Sequence, residues 1–187
     1  MDYYEKRAAE YDATSWDHPE GDPRIAESVR SVIASLPPTR TLDVGCGTGY
    51  VSCWLPGDIT LLDASAAMLA IALRRLPQAT VVRARVPPLP FADRVFGRAF
   101  AANMYGHLAA PARVELVNDM RRVAAEVVIL EQVAPDGKFR EGPEERDLLD
   151  GTRMVVHKCY FTVEQLQEEL GGGEVLMDGP AFAIVRV

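Results

Sequence analysis

The sequence predicts an α/β fold of the doubly wound class, a mostly parallel sheet with helices on both faces, and three observations predict it. Short apolar runs without polar alternation recur along the chain. Segments of helical spacing separate them, and a glycine-rich loop follows the first run. Runs of this kind suit strands buried on both faces, so any ligand crevice belongs at the carboxyl ends of the strands.

The elements follow in order. Residues 2 to 15 mix charge with Tyr3, Tyr4 and Tyr11. Asp22-Pro23 opens a helix with Ile25, Val29, Val32, Ile33 and Leu36 on one face, and Pro37-Pro38 ends it. Thr41 to Val44 reads as the first strand, bounded by Gly45, Gly47 and Gly49, with a short helix from Tyr50 to Leu55. Ile59 to Leu62 is the second strand, Asp63 sits at its end, and Ser65 caps a helix through Leu76. Val81 to Arg83 follows as a third strand, Pro87 to Pro90 as a stiff loop, and Val95 to Phe100 as a fourth strand leading to Asn103-Met104-Tyr105.

Pro111 suits the first turn of a helix that carries Val114, Val117, Met120 and Val123 inward, and Val127 to Leu130 makes a fifth strand. Pro135 to Arg146 is polar and contains Gly and Pro, so it is expected as a mobile loop over the strand ends. Thr162-x-x-Gln165 is a capping-box pattern opening a helix to Leu170. Glu174 to Met177 and Ala181 to Val187 flank Asp178-Gly179-Pro180 as a closing antiparallel hairpin.

At 187 residues, 48% apolar and 25% charged, the chain is sized for one domain with a real core. Acidic residues number 27 against 20 basic ones, and the net charge of -7 argues against nucleic-acid backbones and anionic membranes as partners. Arg74, Arg75, Arg83, Arg85, Arg94 and Arg98 form one basic stretch, read as a solvated face because no aromatics interleave it. Cys46, Cys53 and Cys159 make neither a disulfide framework nor a zinc site, and no metal is expected. The N-terminus shows no apolar leader, and no run approaches the roughly 20 residues that span a bilayer, so a soluble protein of the reducing cytoplasm is expected.

The most informative stretch is Asp43-Val44-Gly45-Cys46-Gly47-Thr48-Gly49-Tyr50, with Asp63 ending the next strand. Glycines there admit positive φ and leave no Cβ between backbone and ligand, while a carboxylate at the second strand's end can accept from both hydroxyls of a ribose. Together they point to a nucleoside-containing cofactor; the plainer alternative is a turn that only packs helix on strand. Tyr50 stands where a dinucleotide loop needs Gly or Ala, which disfavours a pyrophosphate and so the reading of a nicotinamide-dependent oxidoreductase.

Leu42 to Gly49, then Leu62-Asp63-Ala64-Ser65 with Met68-Leu69, resembles the class I S-adenosylmethionine-dependent methyltransferases. Leu89-Pro90-Phe91 with Asp93, and Arg121-Arg122-Val123, extend the likeness over nearly the whole chain. The resemblance implies a seven-stranded sheet ending in a hairpin, with lid helices in 1–36, a cofactor core in 41–132 and a substrate-side loop, last helix and hairpin in 133–187. It implies that S-adenosylmethionine lies with its methionine part against Gly45 and Gly47, its amino group on Asp43 directly or through water, its ribose on Asp63 and its adenine near Met68. Cys46, Gly49 and Ala64 join these as neighbours on the same loops, Cys46 as a small buried filler. Tyr11 is the closest match to a lid tyrosine that reaches the cofactor carboxylate, with Tyr3, Tyr4 and Trp16 beside it.

The chain departs from the family pattern at Ala84-Arg85, where Gly-Asp is frequent, and at Gly97, where Asp is frequent. A carboxylate for the adenine amino group is therefore missing; Arg85 can stack or turn to solvent, and the Val86 amide can still reach a ring nitrogen. Weaker adenine recognition is expected, with Arg85→Asp tightening cofactor binding.

Methyl transfer from a sulfonium asks chiefly for a nucleophile held about 3 Å from the methyl carbon in a site without water. His107 is the candidate general base, against a packing or capping role. Tyr105 is the candidate to orient a small-molecule methyl acceptor, against a place in the core, and Asn103 positions rather than reacts. His157, Lys158 and Tyr160 are candidates to wall the acceptor pocket, with Glu131 facing the same crevice. The alternatives are a non-catalytic S-adenosylmethionine-binding domain and, after it, the nicotinamide-dependent oxidoreductase.

Overall fold

The computed structural model describes residues 3–15, 23–134 and 136–187; Met1, Asp2, Trp16, Asp22 and Pro135 lie outside them. The helices are α1 Tyr3–Arg7, α2 Tyr11–Ser15, α3 Pro23–Ala34, α4 Ala66–Arg75, α5 Ala110–Val123 and α6 Val163–Glu169. The strands are β1 Thr41–Val44, β2 Ile59–Asp63, β3 Thr80–Arg83, β4 Phe96–Ala102, β5 Ala124–Gln132, β6 Arg140–Asp147, β7 Arg153–Tyr160, β8 Glu174–Asp178 and β9 Phe182–Arg186.

Seven strands form one sheet in the order β3-β2-β1-β4-β5-β9-β8, in which β3 through β5 run parallel and β9 and β8 pair antiparallel at the far edge. Adjacent strand residues point to opposite faces, so each apolar strand supplies both sides of the sheet. Leu42, Val44, Ala99, Ala101, Val127 and Ile129 meet Leu116, Met120 and Val123 of α5 and Leu166 of α6. Phe100, Val128, Leu130 and Ile184 meet Val29 and Ile33 of α3, while Leu61 packs against Leu69 and Ala72 of α4. The order reverses between β1 and β4, which opens a crevice at their carboxyl ends.

Local signals act as their chemistry requires. Ser65 caps α4 by accepting from the Met68 N–H at 3.1 Å, and Thr162 caps α6 by accepting from the Gln165 N–H at 3.2 Å. Only a 3-10 turn over Ser52–Trp54 forms where a short helix from Tyr50 is expected. On α5, Val114 is 59% exposed and Leu116 is buried in its place, because the inward stripe runs through Arg113, Leu116, Val117, Met120 and Val123. Arg98 is buried, not solvated: it pairs with Glu126 at 2.6 Å and donates to the Pro37 carbonyl, while its Nη1 has no partner among the described residues.

The largest difference lies at 140–147, where an antiparallel ribbon of β6 and β7 replaces the expected mobile loop. Gly142 and Pro143 speak against a strand, but a two-stranded ribbon leaves edge positions that tolerate both. Its turn closes with Leu148 and Thr152, and Leu148, Met154 and Val156 cover Tyr3 and Tyr4 of α1. No helix among the described residues is long and apolar enough to cross a membrane.

Candidate active site

The crevice holds a cavity of about 250 Å³ built from five chain segments. Gly45 and Gly47 follow β1, Asp63 and Ala64 end β2, Ala84 to Val86 follow β3, Asn103, Met104, His107 and Leu108 follow β4, and Tyr4 and Tyr11 close it from α1 and α2. A smaller pocket of about 30 Å³ adjoins it, reaching Asp43 and Cys46.

The glycine loop is shaped by its contacts. Gly45 has φ +70°, and a Cβ there would lie 2.3 Å from Met104 Cγ, whereas at Gly47 a Cβ would meet nothing within 4 Å. The loop therefore packs tightly against the β4 side at Gly45 and leaves open space over Gly47. Asp63 organises it: the Gly47 N–H donates to Oδ2 at 2.9 Å and the Ser65 N–H to Oδ1 at 2.8 Å. Asp43, at the end of β1, is buried and accepts from Ser52 Oγ at 2.5 Å, while its Oδ1 has no hydrogen-bond partner among the described residues. Burial pushes its carboxyl up to about 7 against the lowering effect of the Ser52 bond. The amide oxygen of Asn103, at φ +53°, is likewise buried without a partner among the described residues.

The N-terminal helices are fastened over this floor. Glu5 accepts from Ser65 Oγ at 2.7 Å, and Asp12 pairs with Arg75 at 2.7 Å and accepts from Thr48 Oγ1 at 2.5 Å. Burial raises the phenols of Tyr4 and Tyr11, the latter to about 12, so both remain neutral.

Several expected residues stand elsewhere. Tyr105 is buried in the core, stacked on Phe161, and donates to Glu169 Oε2 at 2.9 Å, so it lines none of these cavities. Met68 is fully buried in the first turn of α4, and Gly49 packs on Ala72 rather than lining a cavity. Gly97 lies at the opposite end of β4, its N–H bonded to the Arg40 carbonyl, and is no part of an adenine end. Glu131 and Lys158 pair at 3.6 Å in the interior, and Glu131 Oε1 accepts from the Gly106 N–H.

His107 lines the cavity, and its Nδ1 lies 2.8 Å from the His157 carbonyl. A carbonyl only accepts, so Nδ1 carries the proton and Nε2 is left with a lone pair. Burial, then the positive charges of Lys158, Arg146 and Arg7, depress the ring to about 3 and keep it neutral. Arg85, Val86 and Ala64 line the cavity, Cys46 the smaller pocket and Tyr11 both.

Residues 41–126, which contain the glycine loop, Asp63 and Arg85, match the family of methyltransferase domains. The solved DhpI-SAM-HEP complex superposes with a TM-score of 0.82 at 25% identity, covering 98% of this chain and 93% of that one. Over residues 41–126 the chain is thus similar to methyltransferase domains, and its fold is that of the DhpI-SAM-HEP complex. A demethylmenaquinone methyltransferase of Thermotoga maritima is 32% identical over 125 residues, 63% of this chain and 54% of that protein, so the chain spans about half the length of that relative. The 1,6-didemethyltoxoflavin-N1-methyltransferase of Burkholderia thailandensis, at 14% identity and a TM-score of 0.69 over 98% of this chain and 85% of that one, shares the fold.

Tyr50, which argues against a pyrophosphate in the loop, packs edge-on against Trp54 beneath Arg75. Sequence reasoning missed Met104 and Leu108 as cavity walls; their position after β4, beside Asn103, was the available signal. It also left Arg122 without a role. Arg122 donates to the carbonyls of Phe91 and Leu89 and pairs with Asp93, which clamps α5 to the loop that leads from β3 to β4.

Proposed function

We propose that this chain binds S-adenosylmethionine in the crevice between β1 and β4 and transfers its methyl group to a small-molecule acceptor. The observation that carries the reading is Asp43, a buried carboxylate with one unpartnered oxygen among the described residues, beside a glycine loop whose Gly47 faces open space. An ammonium group satisfies such an oxygen, and a ligand backbone fits where a Cβ is absent. Asp63 fits a ribose, since its carboxylate ends β2 at the cavity wall, oriented by the Gly47 and Ser65 N–H groups, and a carboxylate is the acceptor that ribose hydroxyls need. The Val86 region and Arg85 border the remaining end of the cavity and would meet the base there.

The cofactor supplies a methyl group already activated by a sulfonium, so the chain's residues orient and exclude water rather than generate a strong nucleophile. Tyr4 and Tyr11 cover the crevice, and Asn103 presents its amide inside it. His107, held neutral with Nδ1–H committed to His157, offers Nε2 as a hydrogen-bond acceptor that aligns an acceptor's O–H or N–H. It is too weak a base to remove such a proton by itself at neutral pH.

A donor-binding domain without turnover is the second reading, favoured by that same weak base. Three free cysteines agree with a reducing compartment. Formation of S-adenosylhomocysteine from the donor with a pool of small acceptors, abolished in Asp43→Ala, is the expected result. Tight donor binding with no turnover across a broad acceptor pool would leave the non-catalytic reading in place of this one.

A further inference from the structure

A second cavity of about 150 Å³ borders the first, and the two share Tyr4, Tyr11, Asn103 and His107. One water needs only about 10–15 Å³ by this kind of measure, so the space admits a group of several heavy atoms. Its lining brings together Arg7 of α1 and Arg146 of β6, with the hydroxyl of Thr14 and the amide of Gln132. In a chain of net charge -7, no carboxylate stands among the described residues that line it.

Neither guanidinium is used up. Arg7 forms no ion pair among the described residues; its Nη1 donates to Tyr3 OH at 2.7 Å and its Nη2 to Thr14 Oγ1 and Ser15 Oγ at 3.1 and 2.9 Å. Its Nε–H and one Nη1–H are left over from the five donors of the group. Arg146 pairs with Glu144 through Nη2 at 3.0 Å, and its Nε and Nη1 have no partner among the described residues. The buried Lys158 adds positive potential from behind the His107 ring, tempered by Glu131.

We infer that this second cavity is the acceptor subsite and that it takes a small acceptor bearing an oxyanion, a carboxylate or a phosphate-type group, held by Arg7 and Arg146. Guanidinium groups match both oxyanions bidentately, and the shared wall at His107 and Asn103 is where such an acceptor passes into the cofactor crevice. The inference rests on the methyltransferase reading and narrows it to a class of acceptor.

The test uses the full chain saturated with S-adenosylhomocysteine and titrated with phenyl phosphate, benzoate, benzyl alcohol and benzylamine. At least one anionic probe should bind ten-fold or more tightly than benzyl alcohol and benzylamine, and whichever anion wins identifies the oxyanion. Arg146→Gln should remove most of that preference and Arg146→Lys retain part of it, with S-adenosylhomocysteine affinity unchanged within two-fold. Arg7 also braces α2, so Arg146 is the cleaner position. Equal binding of benzyl alcohol, an anion preference intact in Arg146→Gln, or no probe binding to a protein that holds S-adenosylhomocysteine would each overturn the inference. Failure of S-adenosylhomocysteine itself to bind would overturn the parent reading before any probe is added.

Discussion

At the scale of one residue, the proposed function rests on Asp43. Its carboxyl titrates near 7 in the free protein because burial outweighs the Ser52 bond, while an unfolded aspartate titrates near 3.9. The folded chain then holds the proton that the unfolded chain has lost between those values, so ligand-free stability falls as pH rises through that window. An ammonium ligand selects the carboxylate. S-Adenosylhomocysteine affinity should therefore climb from pH 6 to pH 8 and level off, and Asp43→Asn should bind weakly with no such slope; calorimetry at the two pH values reads both. Asp63→Ala should weaken cofactor binding by about 1–3 kcal/mol, the usual cost of stranding buried polar partners, and unchanged affinity would refute its assignment to the ribose. Replacing Arg85 by Asp tests the adenine end, where a tighter complex is expected. That Asp43, Asp63 and Arg85 would stand around one crevice was legible because each lies at or just past the end of a strand that the apolar runs mark. Tyr105 was not, since its partner Glu169 is 64 positions away and its proximity to Asn103 in the chain suggested the crevice.

The elements show why local signals reach only so far. The glycine loop is a packed turn: Gly49 has φ +73°, and a Cβ there would sit 3.1 Å from Ala72 Cβ on α4. Gly49→Ala should cost about 1–2 kcal/mol for the left-handed backbone alone, read as a lower urea midpoint. A midpoint equal to that of the parent would contradict a left-handed backbone at this position. Strands β1 to β5 and the caps of α4 and α6 were legible because apolar runs, Ser65 and Thr162 act within a few residues. The ribbon of β6 and β7 was not, because β6, with Gly142, Pro143 and a run of charged residues, has low strand propensity. Cross-strand contacts such as Glu141 with His157 and Glu144 with Tyr160 hold it. That ribbon also fixes His107, through the His157 carbonyl.

Across the whole molecule, the sheet supplies a rigid floor and the N-terminal helices a fastened cover. The cover hangs on a few polar ties, Glu5 to Ser65 and Asp12 to Arg75 and Thr48, and on a small apolar cluster of Tyr3 with Leu148 and Val156, together weaker than the core beneath them. Trypsin should cut at Lys6 and Arg7 before the sheet is touched, and S-adenosylhomocysteine should slow that cleavage several-fold; equal rates with and without it would mean the cover plays no part in binding. The mostly parallel sheet with its closing hairpin and a crevice at the strands' carboxyl ends were legible from the fold class, whereas the cover's ties were not, because they join residues as far apart as Asp12 and Arg75. The most direct measurement is calorimetric titration of the purified chain, cleared of any ligand carried through purification, with S-adenosylmethionine, S-adenosylhomocysteine and NAD in parallel. Micromolar one-to-one binding of the first two and none of NAD is expected. A folded, ligand-free sample that binds neither of the first two would contradict the assignment of the crevice to the methyl donor.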